Sequence, residues 1–208
     1  MTLSQSTAWR VMTDMHRETE LALVAGLRAG DADAFDTVYD AFQTPLFTFL
    51  LRLCRRRDVA EDLLEDTWVR LVKHAHRLRP DTRLAPWLFT VARRVHVSYV
   101  RARVVEDSTV AGLIALWPYS VARASPFEAA AASELQRRIE RALTAMPLAS
   151  REALLLVAVA GLEQSDAAAI CGVSAEAFRQ RLSRARASLA RALADDASTA
   201  SVLKEVMP

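Results

Sequence analysis

The chain is poor in the residues that several functional classes require. Only 5 of its 208 residues are glycine, too few for the usual phosphate-cradling loops and for a turn-dense β architecture. Two cysteines cannot make a disulfide framework or a Cys-based zinc site, which points to a reducing cytoplasm. His74 and His76 lack a third liganding neighbour, so no metal site is expected. The longest apolar runs, such as residues 154–160, are far short of the ~20 residues that span a bilayer. The N-terminus mixes polar residues with Asp14, His16, Arg17 and Glu18, which argues against a signal peptide. No nucleophile–base pair stands out, so an enzyme is the least favoured class.

The composition that remains is that of a folded helical chain. It is 52% apolar and 25% charged, and its apolar residues are mainly Ala and Leu, which favour helix. At roughly 100–200 residues per domain, the length fits one sizeable domain or two small ones. The net charge of +2 hides opposed blocks. Residues 58–66 hold five acids and no base; residues 93–103 hold four arginines and no acid; residues 178–193 hold five arginines and no acid. Such blocks suggest charged surfaces with different partners.

Periodicity divides the chain further. Residues 1–17 show no period and read as a fraying N-terminal extension. A helical pattern starts near Glu18 and stops at Gly30; Asp31 then stands at an N-cap position ahead of Phe35, Val38 and Phe42. Pro45 is expected to open a further helix that Arg55, Arg56 and Arg57 close. Asp58 with Glu61 has the form of a capping box for a helix reaching about Leu78. Pro86 suits the first turn of the next helix, over 87–103. Residues 104–125 lose the pattern and read as an interdomain linker, with short local structure around 113–117. Pro126 restarts helix, and shorter helices are expected over 150–160, 165–171 and 175–193. The tail from Asp195 to Pro208 is small and polar until Val202. No strand-like alternation of useful length and no internal repeat is present.

The segment QSDAAAICGVS (164–174) combines a short helix, a Gly turn and a cap. On its own it fits a generic helical hairpin as well as a DNA-reading helix-turn-helix. The helix after it separates the two. Phe178, Leu182, Ala185, Leu189 and Leu193 form one narrow apolar stripe. The opposite face presents Gln180, Ser183, Arg184, Ala187 and Arg191, flanked by Arg179, Arg181 and Arg186, with Glu176 as the only acid. Gln and Arg can read base edges in a major groove, and the flanking arginines suit phosphates.

In the helix over 87–103, Leu88, Ala92, Val95, Tyr99 and Ala102 make the buried stripe, and Arg93, Arg94, Val97 and Arg101 point outward. His96 reads as a surface polar residue. Trp87 and Phe89 lie at the N-terminal end, where aromatic rings beside arginines suit single-stranded nucleic acid; core aromatics beside solvated arginines are the other reading. The acidic helix has two readings as well. Dipole complementarity accounts for Asp58, Glu61 and Asp62, whereas Glu65 and Asp66 beside Trp68 suggest a docking face for a basic partner.

Two segments, DVAEDLLEDTWVRLV (58–72) and APWLFTVARRVHVSYVRAR (85–103), resemble region 2 of extracytoplasmic-function (ECF) sigma factors of the sigma-70 family. The stretch ALTAMPLASREALLLVAVAGLEQSDAAAICGVSAEAFRQRLSRARASLARAL (142–193) resembles their region 4. The resemblance, covering about residues 20–193, implies an all-α chain of two small domains joined by a flexible linker. Region 2 would span 18–103, the linker 104–125, region 4 126–194 and a C-terminal tail 195–208. It implies a bacterial transcription initiation factor without catalysis or cofactor, whose partners are core RNA polymerase, promoter DNA and an anti-sigma factor. Carried over by motif position, Glu61, Asp62, Glu65, Asp66, Trp68 and Arg70 fall on the helix that docks on the β′ clamp helices. Trp87, Phe89, Arg93, Arg94, Ser98 and Arg101 fall on the helix that captures the melted −10 element. Arg179, Gln180, Arg181, Ser183, Arg184 and Arg186 fall on the reader of the duplex −35 element, beside the β flap. The chain departs from the family pattern at Arg94, where Asn is frequent, and at Ser98, where Asp or Asn is frequent. It departs again at Ser165, Asp166 and Ala167, where Tyr-x-Glu is common. A sigma-like protein that sequesters an anti-sigma factor by mimicry is the alternative, though mimicry alone would not require two basic faces. A one-domain helix-turn-helix repressor would leave residues 20–103 unexplained.

Overall fold

The structure, a computed structural model, describes residues 17–110 and 134–206, with side chains placed over 17–103 and 136–194. Among these residues it is all-α, as expected, with no strand. The helices are α1 (Arg17–Ala29), α2 (Ala32–Cys54), α3 (Arg57–His74), α4 (Leu84–Val110), α5 (Glu134–Ala145), α6 (Leu148–Ala158), α7 (Gln164–Cys171) and α8 (Ala175–Val206). A 3-10 turn, Ala75–Arg77, follows α3. Residues 1–16 of the expected extension 1–17, the linker segment 111–125 and the helix start at Pro126 lie outside the described residues.

Helices α1–α4 form the first bundle. The backbone of α1 ends at Gly30 (φ 78°), and Asp31 caps α2 by accepting a hydrogen bond from the Asp33 N–H. Gly26 lets α1 cross close to α2, because a Cβ there would lie 2.6 Å from the Ala34 Cβ. Three expectations fail in this bundle. Pro45 does not open a helix; it sits inside α2. The spacing of Ala34, Val38, Phe42, Leu46, Phe49, Leu50 and Leu53 keeps one buried face in phase through the proline, and that burial outweighs the ~3 kcal/mol a helical proline costs. Nor do the three arginines close α2 from within. Arg55 is its left-handed C-cap (φ 60°), Arg56 is the N-cap of α3, and Arg57 is the first residue of α3. Asp58 is therefore two residues too late to cap: it pairs with Arg56, and Glu61 pairs with Arg57, so the expected capping box is absent. The start of α4 borrows its cap from afar, as the Glu20 carboxylate of α1 accepts from the Leu84 N–H at 2.7 Å.

Helices α5–α8 form the second bundle. Residues 151–156 of α6 are all buried, and α8 packs along α6 and α5. Gly172 ends α7 in the left-handed conformation (φ 68°), and the Ser174 hydroxyl caps α8 by accepting from Ala177 N–H. Two boundaries move from their expected places. Residues 104–110 continue α4 instead of opening the linker, and α8 runs through the expected tail to Val206.

The two bundles touch. α2 packs on α6 and α4 on α7, and their buried apolar side chains form one continuous cluster.

Candidate nucleic-acid interface

On α8 the apolar stripe is sunk as expected: Phe178, Leu182 and Ala185 are buried, with Leu189 packed at the margin. Arg179, Gln180, Ser183, Arg184, Arg186, Ala187 and Arg191 are exposed, and Arg181 is half-buried. Glu176 is the local anion. It accepts from Arg179 and from Gln180 Nε2, and these two hydrogen bonds hold its carboxyl below the ordinary carboxylate range. Arg184 Nε donates to the Gln180 carbonyl at 3.3 Å. These bonds lie within one exposed helix face and leave the guanidiniums at the surface. Small Ala167 and Ala168 on α7 are buried, which sets the close approach of the two helices, while Ala169 faces outward.

On α4 the outcome is mixed. Arg94, Ser98 and Arg101 are exposed. Leu88, Ala92 and Val95 are buried as expected, but Ala102 is exposed, since the stripe leaves the core after Tyr99. Phe89 is not at the surface: it is 1% exposed, its ring edge-on to Phe49 with centroids 5.3 Å apart. It belongs to the core and offers no face to a base. Trp87 is half-buried and lines a cleft with Pro86, Thr90, Asp166, Ala169 and Ile170, between the two bundles. Arg93 does not point freely outward, because its Nε donates to Glu152 Oε1 of α6 at 2.7 Å. His96 is buried instead of superficial, and burial holds its imidazole below the ordinary 6.5. Glu152 pulls in the opposite direction, and Arg93 and Arg151 oppose protonation.

The acidic face of α3 is exposed at Glu61, Asp62, Glu65, Asp66 and Arg70. Trp68 departs from the expectation: it is 7% exposed, packed against Phe35 and Tyr39. Its ring instead floors an open groove of about 540 Å³ with Tyr39, Leu64, Val69 and Val72, rimmed by Glu61, Glu65 and Lys73. Val69 and Val72 are 40% and 61% exposed, an apolar strip beside the carboxylates.

Sequence reasoning missed Arg151, which is 6% exposed and organises the junction. Its guanidinium donates to the carbonyls of Leu143, Thr144 and Met146 at the end of α5, and to those of Arg52 and Leu53 at the end of α2. The last carbonyls of a helix lack internal partners and carry its negative dipole end, so one cation serves two helix ends from two bundles. The missed signal was the charged pair Arg151–Glu152 at the head of an apolar helical run (153–160), where a buried charge must find partners.

No helix among the described residues is long and apolar enough to cross a membrane, and no group of three or more His, Cys, Asp or Glu among them could hold a metal. Both cysteines are free.

The sigma-70 region 2 family matches residues 38–104, and the sigma-70 region 4 family matches residues 136–189. The chain is 30% identical over 183 residues to the ECF RNA polymerase sigma factor EcfG of Rhodopseudomonas palustris, covering 88% of this chain and 87% of that one. It is 30% identical over 154 residues to the ECF sigma factor SigM of Bacillus subtilis, covering 74% and 91%. Among solved structures, it is similar to the sigma factor RpoE of Bartonella quintana, determined with the anti-sigma factor NepR. That match has a TM-score of 0.62 and 29% identity over 76% of this chain and 96% of that one. CnrH, solved with the cytosolic domain of CnrY, shares the fold at a TM-score of 0.64 and 21% identity, over 85% and 98% of the two chains. Two basic helices on two bundles, both families matched in order, and relatives aligned along most of their length lead to one conclusion: the chain belongs to the ECF sigma factors of the sigma-70 family, the initiation factors that direct RNA polymerase to promoters.

Proposed function

We propose that the two bundles divide the promoter between them, the first (within 18–103) meeting polymerase and the −10 element, the second (within 126–194) the −35 element. The observation that carries this reading is the exposed face of α8, where arginines and Gln180 stand behind a capped helix-turn-helix and Glu176 is the only acid among the described side chains of that helix. On this face Gln180, Ser183 and Arg184 meet base edges, while Arg179, Arg181 and Arg186 meet phosphates. On α4, Arg94, Ser98 and Arg101 meet the melted −10 strand, with Arg93 and Trp87 joining once they leave the junction. The exposed acids of α3 and the apolar strip of Val69 and Val72 meet the β′ clamp helices, with Arg70 at the edge. Phe89 and Trp68 support these surfaces from within. An anti-sigma factor is the expected inhibitor, by analogy with the RpoE–NepR complex. The chain acts by binding, without catalysis or cofactor of its own, in the cytoplasm where polymerase works. The test is run-off transcription with purified core polymerase over a library of genomic promoters. Initiation from a subset sharing −10 and −35 sequences is expected; a holoenzyme that assembles but selects no promoter would favour the anti-sigma mimic.

A further inference from the structure

We propose that Glu20 and Arg17 of α1 are positioning residues for the −10 reader: from a separate helix they fix where α4 begins and how the loop before it runs. The inference rests on the assignment of α4 to the −10 strand. Arg17, Glu20, Val24 and Leu27 recur at helical spacing along one face of α1. Val24 and Leu27 are buried, and α1 packs on the 3-10 turn that leads into the loop. The same face therefore carries the two polar side chains past the core to residues 78–84. There, α4 has no cap of its own. The Arg83 carbonyl accepts from the Trp87 N–H, but the Arg83 side chain has no oxygen to offer the next amides. Pro86 has no N–H, and the first turn of α4 holds no acid to meet the positive end of the helix dipole. Glu20 supplies what is lacking. Its Oε1 accepts from the N–H of the buried Leu84 at 2.7 Å, and its side chain is only 15% exposed.

Arg17 completes the tie. It pairs with the Glu20 carboxylate, and its Nη2 donates to the Asp81 carbonyl at 2.7 Å. The loop it holds is a tight turn, in which the Thr82 N–H donates to the Arg79 carbonyl around Pro80 and Asp81. One carboxylate and one guanidinium thus fasten the loop and the helix start to α1. Trp87 lies in the first turn of α4, and Arg94, Ser98 and Arg101 follow along the same helix. If that first turn unwinds, Trp87 and the loop lose their fixed place relative to Arg94, while α8 and the exposed acids of α3 keep theirs. Glu20 and Arg17 act through the backbone that carries the readers, without meeting a base themselves.

The test uses holoenzyme assembled from core polymerase and the full chain. Two templates compete in one reaction: a promoter that the wild type initiates, and the same promoter with one base changed in its −10 element. The readout is the ratio of the two run-off products. A variant that is merely less stable lowers both products by one factor and leaves the ratio alone, whereas a misplaced reader compresses it. Glu20→Ala should compress the ratio by about fivefold, the fold-change that matches loss of one helix cap. Glu20→Gln keeps an oxygen for the Leu84 N–H and should retain most of the discrimination. Arg17→Ala, which leaves the capping carboxylate in place, should fall between Glu20→Ala and the wild type. An unchanged ratio in Glu20→Ala overturns the positioning role, as does equal compression by Glu20→Gln and Glu20→Ala. Should circular dichroism show that Glu20→Ala has lost helix, Arg17→Ala decides by the same ratio. Arg94→Ala is run on the same templates. Compression by Arg94→Ala with none by Glu20→Ala sinks this inference alone; no compression by either sinks the assignment of α4 to the −10 strand as well.

Discussion

Helices α4 and α8 pair an apolar seam with an arginine-bearing face, and in sequence they look like two copies of one device. Their surroundings differ. The arginines of α8 project from the outer side of the second bundle, where Arg179 meets Glu176 of its own helix. On α4, Arg94 and Arg101 are exposed as well, but Arg93 faces the second bundle and is taken by Glu152. A helix-by-helix reading of amphipathicity identifies which face is apolar; it does not say whether the polar face meets water or another bundle. That difference predicts that substitutions along α4 disturb folding and binding together, whereas substitutions on the exposed face of α8 separate the two.

The largest effect is expected at Phe89. Its ring is fully enclosed against Phe49, so Phe89→Ala should cost about 3–5 kcal/mol of stability in urea unfolding. Gln180→Ala, on the exposed face of α8, should change stability by no more than about 0.5 kcal/mol. If Phe89→Ala weakened strand binding while leaving the unfolding midpoint in place, the ring would belong to the interface and not to the core.

Arg151→Ala comes next. Five backbone carbonyls at two helix ends would lose their donor, for an expected loss of about 2–4 kcal/mol by thermal or chemical denaturation. Arg184→Ala removes an equally charged group from the other helix and should leave the melting temperature unchanged. It should instead weaken binding to a promoter duplex by about 1–3 kcal/mol, measured by titration of −35 DNA at fixed salt. Equal promoter affinity in wild type and Arg184→Ala would remove this residue from the reader.

Most of the fold was legible because it is written in local rules. The stripe of α8, the left-handed Gly172 turn, the caps Asp31 and Ser174, and the all-α class needed only periodicity and capping chemistry. What failed was tertiary. Pro45 reads locally as a helix start, and only the unbroken buried phase from Ala34 to Leu53 overrides it. The Arg55–Arg57 triplet reads as a basic last turn, yet it became the turn itself because α3 starts at Arg57. In the candidate site, the exposed members of each set were recognisable from spacing, whereas Phe89, Trp68, Arg93 and His96 were misplaced for one shared reason. Each lies where a second helix or bundle covers what a single helix would expose.

Acidification offers the smallest and most discriminating probe of that covering, because α4 carries a buried histidine while α8 carries none. Burial holds His96 below its ordinary 6.5. In the folded chain it therefore stays neutral at pH values where the unfolded chain is already protonated. As pH falls below about 6.5 the unfolded state binds more protons than the folded one, and stability must decline until the folded value is reached. The slope from one such group cannot exceed about 1.4 kcal/mol per pH unit. Urea unfolding between pH 7 and 5 should show this decline, and His96→Gln should flatten it while the carboxylate-driven loss at lower pH persists. Arg93 and Arg151 oppose protonation of His96, whereas Glu152 favours it. In Glu152→Gln the favouring charge is gone, so the window of acid sensitivity should extend to lower pH if the bundles stay closed. It should contract if they part and water reaches the imidazole.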